Sequence, residues 1–336
     1  MNDQNPRYTC FHWGTYQSEI RDGKLIALHP LSEDPDPSPI ANGYLDTLDN
    51  EQRIRQPMVR QSWLQGGPGT AGELRGRDQF VPVSWDEAER LVAAELRRVI
   101  DSHGNESIFA GSYGWASAGR FHHAQGHLKR FLNLLGGFTK SVNTYSLAAG
   151  EVILPHVLGS TKYIYGATHW QSIIEHSDLL VAFGGLPVTN AQIGQGGVGQ
   201  HRCKPALLAA KQAGVEFVNI SPLRSDVLPE LEADWLALRP STDTALMLAL
   251  AWVLISEDRY DAEFIGRYTV GFERFAAYVT GANDGIAKDP QWAAAICGVS
   301  AENIVALARR MTRGRTMIGL SWSLTRQDHG EQPFWL

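Results

Sequence analysis

The chain has 336 residues, 43% of them hydrophobic, and a formal net charge of −6. That is enough apolar mass for a sizeable core and about two domains. The acidic balance argues against a broad nucleic-acid surface, and no apolar run is long enough to span a bilayer, so neither nucleic acid nor a membrane is expected as a partner.

The N-terminus, MNDQNPRYTC, is polar and shows no twin-arginine or apolar leader, which gives a cytoplasmic protein as the expectation. Residues 12–20 (HWGTYQSEI) and 24–31 (KLIALHPL) alternate in polarity and flank Asp22-Gly23, a hairpin signal. With the solvated loop SEDPDPSPIANG they form a small β-rich unit, 1–55. A second, α/β unit is expected over 56–160. It holds a helix at 83–100, where Ser84 and Glu87 have capping-box spacing and Val92, Leu96 and Val99 fall at helical intervals. A strand at 107–114 feeds a turn, and the helix AQGHLKRFLNLLGG stops at Gly136-Gly137. From residue 170 the pattern becomes strand, loop, helix. Strands are expected at DLLVAFGG, EFVNIS, DWLALRP and TMIGLSW, and helices at PALLAAKQAG, TDTALMLALAWVLI and AENIVALARRMT. This alternation predicts an α/β fold, a doubly wound and mostly parallel sheet over 161–336 that binds ligands at the carboxyl ends of its strands. The chain stops on Phe334, Trp335 and Leu336, an apolar ending that suggests a truncated chain whose core continues elsewhere.

The stretch 109–160 is the richest in chemistry. Tyr113 and Trp115 stand among glycines and serines, and Ser146 lies between Tyr145 and Ala148-Ala149-Gly150. Small residues allow close approach to the backbone, and aromatics with polar tips can line a dry cavity, so the composition fits a large buried ligand. At the strand ends, Gly184-Gly185 followed by Thr189 and Asn190 can cradle a phosphate or form a plain tight turn. Arg224 either meets a phosphate or sits in solvent. Ser241 and Asp243 head an apolar helix, and capping accounts for them; the functional alternative is a guanine edge donating to the Asp243 carboxylate. GQGGVG at 194–199 has the G-x-G-x-x-G form but lies well past its strand and reads as a loop. His123 and His127 have metal spacing without a completing Glu, beside basic Lys129 and Arg130. Ser146 lacks the G-x-S-x-G elbow of a hydrolase. Cys10, Cys203 and Cys297 are far apart and form no C-x-x-C pair.

The segments GSYGWASAGRFHHAQGHLKRFLNLLGG, SVNTYSLAAGEVILPHVLGS, RPSTDTALMLALAW and GLSWSLTRQDHGEQPFW together resemble the dimethyl sulfoxide reductase family of molybdopterin enzymes, closest to its biotin sulfoxide and methionine sulfoxide reductases. The resemblance covers nearly the whole chain and implies the N-terminal portion of a larger multidomain enzyme. It implies molybdenum and bis(molybdopterin guanine dinucleotide) as cofactors, no iron–sulfur cluster, a small sulfoxide as substrate and an external electron donor. By the same resemblance Tyr113, Trp115 and Ser146 belong to the catalytic centre. Ser146 ligates the metal, Tyr113 hydrogen-bonds the substrate oxygen and Trp115 walls the pocket. Cofactor contacts are implied for Tyr113, Gly114, Trp115, Ala116, Ser117, Ser146, Gly185, Thr189, Asn190, Ile220, Ser221, Ser241, Thr242, Asp243, Trp322, Ser323 and Arg326. Thr189 stands where relatives often carry lysine, and Ser221 where aspartate is common. The implied reaction is reduction of biotin sulfoxide or methionine sulfoxide to the sulfide. Reduction of trimethylamine N-oxide, an inert fragment of such an enzyme, and a nucleotide-dependent enzyme built on the Gly184 turn are the alternatives.

Overall fold

The computed structural model describes residues 7–70, 72–111, 123–166, 168–194 and 196–336. Contacts group the chain into two units, Met1–Val142 with Gln192–Gln200, and Asn143–Ala191 with His201–Leu336. These divisions differ from those at 55 and 160 read from the sequence, and the Ser146 segment falls in the second unit.

In the first unit, β1 (Tyr8–Phe11), β2 (Gly14–Arg21) and β3 (Lys24–Pro30) form an antiparallel sheet in that order. Asp22 and Gly23 both take positive φ, 50° and 76°, as the two-residue hairpin turn requires. Tyr16 is 2% exposed, and its hydroxyl donates to the carbonyls of Trp13 and Ser38. The loop 194–199 joins this hairpin. The Gly194 amide donates to the His12 carbonyl at 2.7 Å, and a Cβ on Gly197 would lie 2.8 Å from the Cys10 sulfur. GQGGVG therefore serves packing against the hairpin.

Further along, β4 (Met58–Arg60) pairs antiparallel with β5 (Phe80–Pro82), and β6 (Phe109–Ala110) pairs parallel with β7 (Thr139–Lys140). The helix Trp85–His103 is capped by Ser84, whose hydroxyl accepts from the Glu87 amide at 3.2 Å. Only half the capping box forms, because the Glu87 carboxylate is held by Arg90. Ser84→Ala is expected to cost about 1 kcal/mol of stability, read as a lower urea midpoint; an unchanged midpoint would show that the cap contributes nothing. His123 also has a plain role. Its Nδ1 accepts from the Gly126 amide at 2.9 Å and caps the helix Ala124–Leu134. That helix ends at Gly136 and Gly137, both with φ above 100°. No cluster of three or more potential metal ligands occurs among the described residues.

The second unit is built on four parallel strands, β8 (Leu179–Phe183), β9 (Glu216–Ile220), β10 (Asp234–Leu236) and β11 (Thr316–Leu320), in the order β10-β9-β8-β11. The run LLVAF is at most 3% exposed at every position, the pattern of a parallel strand covered on both faces. Leu179, Val181, Phe183, Val218 and Ile220 face the helices Asp243–Ser256, Pro290–Cys297 and Ala301–Met311. Leu180, Ala182 and Phe217 face the helices Trp170–His176 and Cys203–Gln212. The sheet is thus doubly wound and, within this unit, wholly parallel. The helix Asp243–Ser256 is apolar all round because it packs beneath two others. Among the described residues no single helix is long and apolar enough to cross a membrane. From β8 the chain steps to β9 and β10, then returns to β11 on the other side of β8. The strand order therefore reverses at β8, and a crevice is expected at the carboxyl ends there.

Candidate functional site

Gly184 and Gly185 follow β8 with φ of 80° and 74°. A Cβ on Gly184 would sit 2.7 Å from the Ser321 Cβ, and one on Gly185 2.5 Å from the Asp226 Cβ. Only glycine can combine that backbone with such close neighbours. The turn after β8 is thereby wedged between the loops that follow β9 and β11. Its hydrogen bonds say the same. The Gly184 amide donates to the Ile220 carbonyl (2.8 Å), the Leu186 amide to the Asp226 carbonyl (2.6 Å), and the Ser321 amide to the Phe183 carbonyl (2.9 Å).

Above this turn lies a cavity of about 210 Å³ lined by Gly184, Ser221, Pro222, Asp226, Pro240, Ser241, Asp243, Ser323, Leu324, Arg326 and Gln327. Asp243 is its most telling member. It is 3% exposed, and its Oδ1 has no hydrogen-bond partner. Burial pushes its carboxyl up to about 6, only partly offset by a bond from its own amide. Capping does not account for it. Thr242 is the N-cap, no side chain caps the helix, and the Thr242 hydroxyl instead donates to the Arg239 carbonyl at 2.6 Å. Ser241 takes φ of 64°, a costly conformation for a non-glycine residue. A helix start explains neither the strained serine nor the buried carboxyl oxygen without a partner.

Ser221 is 1% exposed and fully engaged. Its hydroxyl donates to Asp226 Oδ2 and accepts from the Leu223 amide at 3.1 Å, while its carbonyl accepts from Trp235 Nε1 at 2.8 Å. Ser323 and Arg326 come from the loop after β11. Of the residues named from the sequence, Ser221, Ser241, Asp243, Ser323 and Arg326 thus meet around one cavity. Others do not reach it. Ile220 is 0% exposed in the core and offers only its carbonyl to Gly184. Trp322 packs against the same core, and Thr242 does not line the cavity. Gly185 and Asn190 instead line a separate pocket of about 300 Å³ with Trp170, Cys203 and Ser321, and Thr189 is exposed and lines neither. Tyr113, Gly114, Trp115, Ala116 and Ser117 lie outside the described residues. Asp226 and Gln327 were not singled out from the sequence, although Gln327 lies within the quoted segment GLSWSLTRQDHGEQPFW; only nearness to a strand end could have flagged Asp226.

Ser146 is half-buried in the turn before the helix Ala148–Val157. Its amide donates to Thr144 Oγ1 (3.2 Å), and its carbonyl accepts from Arg326 Nε (3.0 Å). Asn143, with φ of 65°, sets the turn. Arg326 therefore connects the cavity to the Ser146 turn. The small residues nearby serve packing more than a ligand. Tyr145 is fully exposed and walls nothing within its own unit, and a Cβ on Gly150 would strike Ile164 and crowd Phe334.

Residues 53–336 match the family described as molybdopterin oxidoreductase, and residues 12–48 match the molybdopterin oxidoreductase N-terminal domain. The chain is 47% identical over 311 residues to a biotin sulfoxide reductase of Cereibacter sphaeroides, covering 92% of this chain and 42% of that protein. It is 42% identical over 325 residues to a dimethyl sulfoxide/trimethylamine N-oxide reductase of the same organism (97% and 39% covered). It is 38% identical over 339 residues to a trimethylamine-N-oxide reductase of Haemophilus influenzae (98% and 40% covered). The chain spans about two fifths of the length of these curated relatives. Among solved structures, acetylene hydratase from Pelobacter acetylenicus shares the fold, with a TM-score of 0.68 over 98% of this chain and 42% of that one at 23% identity. With the family match running through both units and across every strand of the parallel sheet, the chain belongs to the molybdopterin oxidoreductases.

Proposed function

We propose that this chain holds a molybdopterin guanine dinucleotide at the carboxyl ends of β8, β9, β10 and β11 and serves the reduction of a small sulfoxide, biotin sulfoxide or methionine sulfoxide, to the sulfide. The observation that carries the reading is the buried Asp243 carboxyl with an unpartnered oxygen in a cavity at the strand ends. A buried acceptor without a partner is costly, and a ligand that brings donors removes the cost. Guanine presents an N–H and an amino group side by side, which suits the paired oxygens of a carboxylate. The residues present therefore fit the guanine end of the dinucleotide.

When bound, the molybdenum centre would supply two-electron oxygen-atom transfer. The chain's part is to bind and orient. Ser146 offers a hard oxygen donor suited to a high-valent metal, and Arg326 fixes the backbone that carries it. By the family resemblance alone, Tyr113 would donate to the sulfoxide oxygen and Trp115 would wall the substrate's side. Two electrons from an external donor and two protons balance the loss of oxygen as water. The 47% identical relative, a biotin sulfoxide reductase, favours a sulfoxide over an N-oxide.

Protein purified from molybdate-supplied cells is expected to release GMP on acid hydrolysis. It is also expected to reoxidise a reduced viologen faster with biotin sulfoxide or methionine sulfoxide than with trimethylamine N-oxide. Protein carrying neither molybdenum nor a guanine nucleotide would defeat the reading; turnover confined to the N-oxide would defeat its substrate half.

A further inference from the structure

We propose that Asp226, steadied by Ser221, is the acceptor that makes the strand-end cavity select a ribonucleotide over its deoxy counterpart; this rests on reading the cavity as a guanine-nucleotide site. The cavity contains two carboxylates, Asp226 and Asp243, and one guanidinium, Arg326, whose Nε is already given to the Ser146 carbonyl. Its charged lining is richer in acceptors than in donors, which suits hydroxyl and N–H groups better than a phosphate. Asp243 lies at the head of its helix, and its unpaired oxygen accounts for the base edge. Asp226 is the second acceptor, from a different strand end. Among the described residues its carboxylate makes one hydrogen bond, from the Ser221 hydroxyl to Oδ2. A carboxylate has about four lone-pair sites, so capacity remains for a vicinal diol.

The position of Asp226 is fixed by the fold. Its carbonyl accepts from the Leu186 amide at 2.6 Å, its amide donates to the Leu223 carbonyl at 3.3 Å, and its Cβ fills the space left by the missing side chain of Gly185. The loop between Ser221 and Asp226 is held from below by Asn219, whose Nδ2 donates to the carbonyls of Leu223 (3.2 Å) and Arg224 (3.4 Å). An acceptor so anchored cannot follow a ligand that lacks its donor. A site built to take a hydroxyl discriminates against the analogue without it, because the protein group is left unpaired.

The test titrates the 336-residue chain with GMP, 2′-deoxy-GMP, 3′-deoxy-GMP and IMP by calorimetry. Wild type is expected to bind GMP at least ~10-fold more tightly than one of the deoxy nucleotides, the loss of about one good hydrogen bond. Asp226→Asn is expected to erase that difference while keeping the preference for GMP over IMP, which lacks the 2-amino donor. Ser221→Ala, which leaves the carboxylate unsteadied, is expected to shrink it and serves if Asp226→Asn does not fold. Equal binding of GMP and both deoxy nucleotides, with GMP still preferred to IMP, overturns this proposal alone. Discrimination that survives Asp226→Asn overturns it as well. Failure to bind GMP, or to prefer it to IMP, overturns the guanine reading and this inference with it.

Discussion

Ser146→Ala is expected to lower sulfoxide turnover by at least about 100-fold while the protein still folds. Loss of a group that merely orients a metal ligand costs 10–100-fold in affinity or activity, so loss of the ligand itself should cost no less. The backbone contacts of Ser146, its amide to Thr144 and its carbonyl from Arg326 and Thr325, remain in the variant and hold the turn. The measurement is kcat on biotin sulfoxide or methionine sulfoxide beside molybdenum content and the unfolding midpoint. Wild-type turnover from the variant would remove Ser146 as a ligand. A lowered midpoint with proportionate loss of activity would make it a structural residue.

Asp243→Asn should have two opposed effects. In the folded chain the Asp243 carboxyl is pushed up to about 6 by burial, from an ordinary value near 3.8. Between those values the folded state keeps a proton that the unfolded state has lost, so stability falls as pH rises through that window. Above pH 6 the full cost applies, on the order of 3 kcal/mol. The other charged groups that line the cavity are Arg326 and Asp226, of opposite sign. Asparagine has no proton to lose. The variant without ligand should therefore be more stable than wild type at pH 7 by up to ~3 kcal/mol and close to it at pH 4, read from urea midpoints. At the same time it should lose guanine binding, because its amide would point a donor at donors. A wild-type chain whose stability relative to the variant is the same at both pH values would show that Asp243 is not buried as a strained acid.

Much of the parallel sheet was legible because buried strands leave a blunt signature. DLLVAFGG, EFVNIS and TMIGLSW became β8, β9 and β11 with small trimming, and the helices beginning at Cys203, Asp243 and Ala301 followed. The Asp22-Gly23 turn was equally plain, since positive φ at both positions narrows the choice of residues. The helices Ala262–Tyr268 and Phe272–Val279 were not seen, being short and partly exposed, so their periodicity is weak. Strand order was also hidden, because it depends on which faces pack together over long sequence separations. The site was half legible. Ser241 and Asp243 stood out beside a strand end, yet capping explained them adequately until the structure showed Thr242 at the cap and Asp243 unpaired. Asp226 gave no signal, because its importance comes from Gly185 lying against it forty-one residues away. Ser146 stood out, but for the wrong local reason, since Gly150 makes room for Ile164 and Phe334.

The position of β11 sets an order of events during synthesis. β8, β9 and β10 are complete by Leu236, and they can pair as soon as they leave the ribosome. Ser323, Arg326 and Gln327 are made about ninety residues later, directly after β11, the strand that pairs with β8. Until then the crevice lacks a side and the Ser146 turn lacks its guanidinium tether. A nascent chain thus lays down three strands of its scaffold well before the residues that close this crevice have been made.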